Sequence, residues 1–165
     1  MSTINPNYAT AAAITITLTS LATDSNLLAG RESTVIPNGT NKYDDAILRG
    51  KIKTGTTTAN TSIEIWIYSN AIEGVSYSAG ATGSDAALSL ANVGVKRLMK
   101  RALVIDVSDT TSRTYYFGGL SIAAIFGGIM PKDWGVFIVH NTGAALDATG
   151  SNHAIEYQGI TYTNA

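Results

Sequence analysis

Apolar residues recur at every second position along much of this chain, and no other feature constrains its fold as strongly. Ile14, Ile16 and Leu18 interleave with Thr15, Thr17 and Thr19, and Ile63, Ile65 and Ile67 interleave with Glu64, Trp66 and Tyr68. Successive side chains of a strand point to opposite faces, so such runs predict strands with one face in a core. Arg31 to Ile36 and Tyr43 to Lys53 predict two more strands. The intervening Pro37-Asn38-Gly39-Thr40-Asn41 predicts a hairpin turn, because Asn-Gly readily takes positive φ. Alternation resumes at Leu103, Ile105 and Val107, and Arg113 to Phe117 follows an Asp-Thr-Thr-Ser turn as a hairpin partner. Trp134 to Val139 is apolar on both faces apart from Gly135, as a central strand or one covered on its outer face is, and Ala154 to Thr161 closes the series.

Few stretches escape this pattern. Residues 69 to 84 are rich in Ser, Gly and Ala and read as a long surface loop. Leu88, Ala91, Val95, Leu98 and Ala102 recur at helical spacing behind a cap at Ser84 or Asp85, with Gly94 weakening the helix. Ser121 to Phe126 predicts a single helical turn ended by Gly127-Gly128 and Pro131. About eight strands with turn signals between them and no βαβ alternation predict an all-β fold, an antiparallel β-sandwich with one or two short helices. A jelly roll is the leading topology, since eight strands is its usual number. The 165 residues suit one domain, expected over 14–165 behind an N-terminal arm, 1–13.

Composition excludes several classes of function. Lys and Arg number 11 and Asp and Glu 12, a net charge of −1, which exerts no global pull on nucleic acid or an anionic membrane, so neither is expected as a partner. Cys is absent, which removes disulfides, thiolate nucleophiles and Cys-type zinc sites together. The start, Met-Ser-Thr-Ile-Asn-Pro, has no basic region and predicts no export leader. No apolar run is long enough to span a bilayer. Signatures of acyl, phosphoryl and hydride transfer are missing, and no enzyme activity, cofactor or metal is expected. His140 and His153 each lie beside a turn and would meet if their strands paired; without an H-E-x-x-H pattern they are expected to bond backbone or water. Asp106 and Asp109, with Asp133 or Asp147, lack the EF-hand spacing, and Glu64 and Glu156 read as strand carboxylates facing solvent.

Charged residues make up only 14% of the chain, yet two strands carry large apolar groups on both faces, Trp66 and Tyr68 in one and Phe137 and Val139 in the other. Either a partner subunit covers these faces, with Trp66, Tyr68 or Phe137 at a contact insensitive to salt, or residues 69–84 and 85–99 fold back over them. Lys96, Arg97, Lys100 and Arg101 would form a compact positive patch on a helix. Such a patch is either a contact for an acidic surface or a solvated face.

From Arg113-Thr-Tyr-Tyr-Phe-Gly-Gly-Leu-Ser through Trp134-Gly-Val-Phe-Ile-Val-His to Leu146, the chain resembles small virion structural proteins of tailed bacteriophages. Gly150 to Gly159 and Leu28-Ala-Gly-Arg-Glu-Ser-Thr34 extend the likeness toward both ends, while 69–99 lies outside it. The resemblance implies a non-enzymatic component of the virion, a decoration or cement protein on the capsid shell. Its partners would be itself, as a trimer, and the major capsid protein or another virion protein. It transfers no functional residue. A carbohydrate- or receptor-binding sandwich of the tail or fibre, with Trp66, Tyr77, Tyr115 or Tyr116 as stacking platforms, is the alternative.

Overall fold

The computed structural model describes residues 4–164, so residues 1–3 of the expected arm lie outside the described residues. In chain order the strands are β1 (Ile4–Tyr8), β2 (Ala12–Ala13), β3 (Ala29–Glu32), β4 (Ile36–Pro37), β5 (Asp45–Lys53) and β6 (Thr61–Ile72). After them come β7 (Ser76–Tyr77), β8 (Ala86–Ser89), helix α1 (Val93–Lys96), β9 (Lys100–Val107), β10 (Thr114–Ser121), helix α2 (Ile122–Ile125), β11 (Asp133–His140) and β12 (Ala154–Asn164). All pairings are antiparallel. One sheet runs β1-β12-β5-β10; in the other, β3, β11, β6 and β9 lie side by side, with β8 outside β3. This order, with the chain crossing between sheets at most connections, is that of an eight-stranded jelly roll, and β2, β4 and β7 are short pieces paired to β12, β11 and β6.

Between the sheets lies a core of Ile14, Leu18, Ile36, Leu48, Ile52, Ile63, Ile65, Ile67, Trp134, Val136, Ile138 and Ile155. Ile63, Ile65 and Ile67 fill it because they share one face of β6, as their alternation predicts. β11 is central, with β6 on one edge and β3 and β4 on the other, and Trp134 to His140 are all buried. α2 forms where the single turn is expected: Ser121 Oγ accepts the Ala124 N–H at 3.0 Å, and the chain leaves through Gly127 and Gly128 at φ 81° and 99°.

Several expectations are corrected. Residues 14–18 keep their alternating burial but form no strand. Ile14 N–H donates to Ile155 in one sheet, Thr15 accepts from Thr34 beside the other, and Thr17 donates to the Asp85 carboxylate, so the segment bridges the sheets without a ladder. The two expected hairpins are sheet-to-sheet crossings. β4 pairs with β11 whereas β5 pairs with β12 and β10, and likewise β9 pairs with β6 whereas β10 pairs with β5. In the first crossing the positive φ falls at Lys42, and buried Asn38 closes the turn by bonding both polar backbone groups of Tyr43. The expected 69–84 loop begins with strand, since β6 continues to Ile72 and turns back into β7. The helix expected over 88–102 shrinks to the four residues of α1, capped by Asn92 rather than Ser84 or Asp85, because the flanking β8 and β9 find sheet edges to pair with. Residues 4–8 and 12–13 of the arm run along β12.

Tyr68 is fully buried on the outer side of the second sheet, and its hydroxyl donates to the Ser33 carbonyl at 2.6 Å. Its ring lies over Gly135, directly across the ladder, where any Cβ would overlap the phenol. Gly135→Ala is therefore expected to lower stability by about 2–3 kcal/mol through overpacking, measured by chemical denaturation.

Candidate functional site: the covered face of the second sheet

The period of β6 turns Glu64, Trp66 and Tyr68 away from the core, and cross-strand pairing sets Val139, Phe137 and Gly135 beside them. This is the apolar face expected to meet either a partner or the chain's own loops. The structure places the loops there. Tyr77, Ala79, Ala81, Leu88, Leu90, Val95 and Met99 pack over it, with Leu27 and Leu28 at one side. Trp66 is 6% exposed and Tyr68 and Phe137 are 0% exposed, so these three interface candidates are internal packing residues. For the same reason the Trp66 indole offers no stacking platform, and Tyr77 packs edge-on to Tyr68 with ring centres 5.6 Å apart.

The cover is pinned by charge. Lys96 enters the packed layer and donates to Glu64 Oε2 and to the Leu27 carbonyl, each at 2.8 Å. Glu64 Oε2 also accepts the Trp66 indole N–H at 2.8 Å, and the Lys96 ammonium lies 5.1 Å from the centre of that ring. Arg101, opposite Trp66 in the ladder, brings its guanidinium to 5.9 Å from the same ring. The expected basic patch is thus dispersed. Lys96 is buried, Arg97 is exposed past the end of α1, and Lys100 and Arg101 are successive residues of β9.

Two more carboxylates hold residues 82–85. Glu32, 0% exposed, accepts the Thr82 N–H at 2.7 Å, the Thr82 hydroxyl at 2.9 Å and the Gly83 N–H at 3.2 Å. Asp85 bonds the Arg31 guanidinium at 2.6 Å and the Thr17 hydroxyl at 2.6 Å. Underneath, the N–H groups of Ala29, Leu28 and Asn26 converge on Asp24 and hold its carboxyl below the usual range. Sequence reasoning missed Glu32 and Asp85 as anchors. Nothing local marks them, because their partners lie about fifty residues or more away in the chain.

The other candidates are scattered. His140 ends β11 whereas His153 lies just before β12, and their rings bond different partners. His140 is fully buried, donates from Nε2 to the Leu21 carbonyl at 3.0 Å and sets Nδ1 2.9 Å from the Thr142 hydroxyl, while His153 bonds the Asp147 carbonyl. Asp109 pairs with Arg113, Asp147 with Lys53, Asp133 with Asn70, and Glu156 with Arg49. Of the two carboxylates expected to face solvent, Glu64 is instead covered and paired with Lys96, whereas Glu156 does reach solvent, 41% exposed, while pairing with Arg49. Among the described residues no three His, Asp or Glu side chains are grouped to hold a metal ion.

Burial lowers the His140 pKa, so the folded protein resists a proton that the unfolded chain accepts near pH 6.5. Stability contributed by neutral His140 is present above that pH and is lost as pH falls below it, by up to about 1.4 kcal/mol per pH unit. The difference in unfolding free energy between the wild type and His140→Gln is expected to shrink from pH 7.5 to about pH 5. A constant difference would contradict it.

Beside the cover, the end of β6, β7 and the turn after it, Val95, Leu98 and Phe126 enclose an open groove of about 840 Å³. Its wall is mostly apolar: Ala71, Tyr77, Ala79, Val95, Leu98 and Phe126, with Leu98 64% exposed and Lys100 its one charged residue. On the outer side of the first sheet, Tyr116 is 78% exposed on β10 next to the Arg49–Glu156 pair. No protein-family model matches the chain, and no curated protein or solved structure matches it either.

Proposed function

We propose that this chain is a non-enzymatic structural protein of a tailed-phage virion that decorates or cements the capsid shell, with a second copy of itself and a shell protein as partners. The observation that carries this reading is the division of its polar and apolar groups. Carboxylates and cations such as Asp85 and Arg31, Asp147 and Lys53, and Glu64 and Lys96 are engaged in internal pairs, and a wide, mostly apolar groove lies open on the surface rather than a converging set of titratable groups. The jelly roll is a fold widely used in capsids, and the resemblance of 113–146 to virion proteins points the same way. The contact moves from Trp66, Tyr68 and Phe137 to surfaces that remain exposed. In this reading the chain resides in the virion as a trimer. Quantitative mass spectrometry of purified particles tests it: a fixed small-integer ratio of this chain to the shell protein is expected, and absence from washed particles would refute it.

One observation favours a second reading, a carbohydrate-binding sandwich of the tail or fibre. Tyr116 presents an exposed ring beside Arg49, Lys51 and Glu156, an aromatic face flanked by hydrogen-bonding groups. In this reading a glycan array gives binding that Tyr116→Ala abolishes without loss of stability.

A further inference from the structure

β1 and the end of β12 form a two-stranded ribbon at the margin of the first sheet. Ile4 pairs with Asn164, Pro6 with Tyr162 and Tyr8 with Ile160, and every residue of β1 is exposed. Residues directly opposite in an antiparallel pair share a face. One face therefore carries Ile4, Pro6, Tyr8, Ile160 and Tyr162, and the other carries Asn5, Asn7, Thr161 and Thr163. On the apolar face only Ile160, at the base, is buried; Ile4 is 66%, Tyr8 57% and Tyr162 53% exposed. The ribbon contains no charged residue. A two-stranded ribbon is marginal alone, and the described residues place no cover over the apolar stripe along this one.

The same molecule carries a surface of matching chemistry. The groove bounded by Tyr77, Val95, Leu98 and Phe126 is concave and mostly apolar, the ribbon is narrow and projecting, and the formal charges beside them are Lys100 in the groove wall and Asp44, whose carboxylate accepts the Tyr162 N–H at 2.8 Å. Both lie toward one end of the sandwich. Ile160 at the ribbon base pairs with Asp45, the Asp45 carboxylate accepts the Ala123 N–H of α2 at 2.8 Å, and Phe126 follows α2 into the groove wall. We infer that the apolar face of the β1–β12 ribbon of one copy docks into the groove of a second copy. The contact is heterologous, one ribbon and one groove per copy, and such contacts close into a ring when the rotation between copies allows it. It supplies the self-association in the structural reading above and is testable without particles.

Light scattering on the purified chain tests it. The wild type is expected to form an oligomer whose mass is the same at about 0.1 M and about 1 M salt, since no charge pair holds it. A ribbon variant, Tyr8→Ser with Tyr162→Ser, and a groove variant, Leu98→Asp, each alter exposed side chains. Each is expected to keep the wild-type circular dichroism and melting temperature while weakening self-association roughly thirtyfold or more. Mixing the two leaves one intact ribbon and one intact groove, and a one-to-one heterodimer is expected. A monomeric wild type, a groove variant that still assembles, or a mixture that stays monomeric would each overturn the inference. A monomer that nevertheless occurs in particles at fixed ratio would leave the proposed function standing.

Discussion

Lys96→Ala is expected to destabilise the protein by about 3–5 kcal/mol, the cost of leaving a buried carboxylate without its partner. The side chains of Lys96 and Glu64 are 6% and 12% exposed, so little solvent is at hand to replace the ammonium. Losing it also strips the Leu27 carbonyl of a donor and the Trp66 ring of one of its two cations. In a chain of this length the loss corresponds to a fall in melting temperature of roughly 10 °C. Replacing both partners, Lys96→Met with Glu64→Gln, is expected to recover most of it, because no lone charge remains buried. Arg101 is exposed, and Arg101→Ala is expected to cost under about 1 kcal/mol. Thermal denaturation of the four proteins checks the series, and Lys96→Ala proving as stable as the double variant would contradict the ion-pair account.

Glu32→Ala is expected to cost about 2–4 kcal/mol and to act locally first. The N–H groups of Thr82 and Gly83 lose their acceptor, at about 1–3 kcal/mol for each group left dry. Residues 82–85 would then be held by Asp85 and by the Val35 N–H donating to the Gly83 carbonyl, and the cover over Tyr68 and Trp66 would open more often than the sandwich unfolds. Burial pushes the Tyr68 phenol above its usual range, and opening would bring it back down. Glu32→Gln keeps one oxygen acceptor and is expected to retain most of the stability. Hydrogen exchange at the Thr82 and Gly83 amides provides the measurement: faster exchange there, with unchanged protection in β6 and β11, is the expected result for Glu32→Ala.

Much of this architecture was legible in local pattern. The alternation at Ile63–Tyr68 placed three isoleucines in the core and Trp66 and Tyr68 on the far side, and the two-sided apolar run at 134–139 marked the central strand. Ser121 and the glycine pair after Phe126 marked α2 from both ends. At Ile14–Leu18 the pattern reported burial correctly and strand wrongly. Alternation reflects an extended backbone between two environments, whereas a strand also needs a continuous neighbour to bond.

By itself, then, the sequence determined the class of the fold and which face of each extended segment turns inward, because side-chain direction in a strand is a property of the backbone with a period of two. Only the tertiary structure decided which strands pair, since a five-residue turn such as 37–41 can return a strand to its own sheet or pass it to the other. It also decided what covers Trp66, Tyr68 and Phe137. That face is closed by residues 77–99, held through Glu32, Glu64 and Asp85 to groups tens of positions away, and a contact made across such a span leaves no period in the sequence.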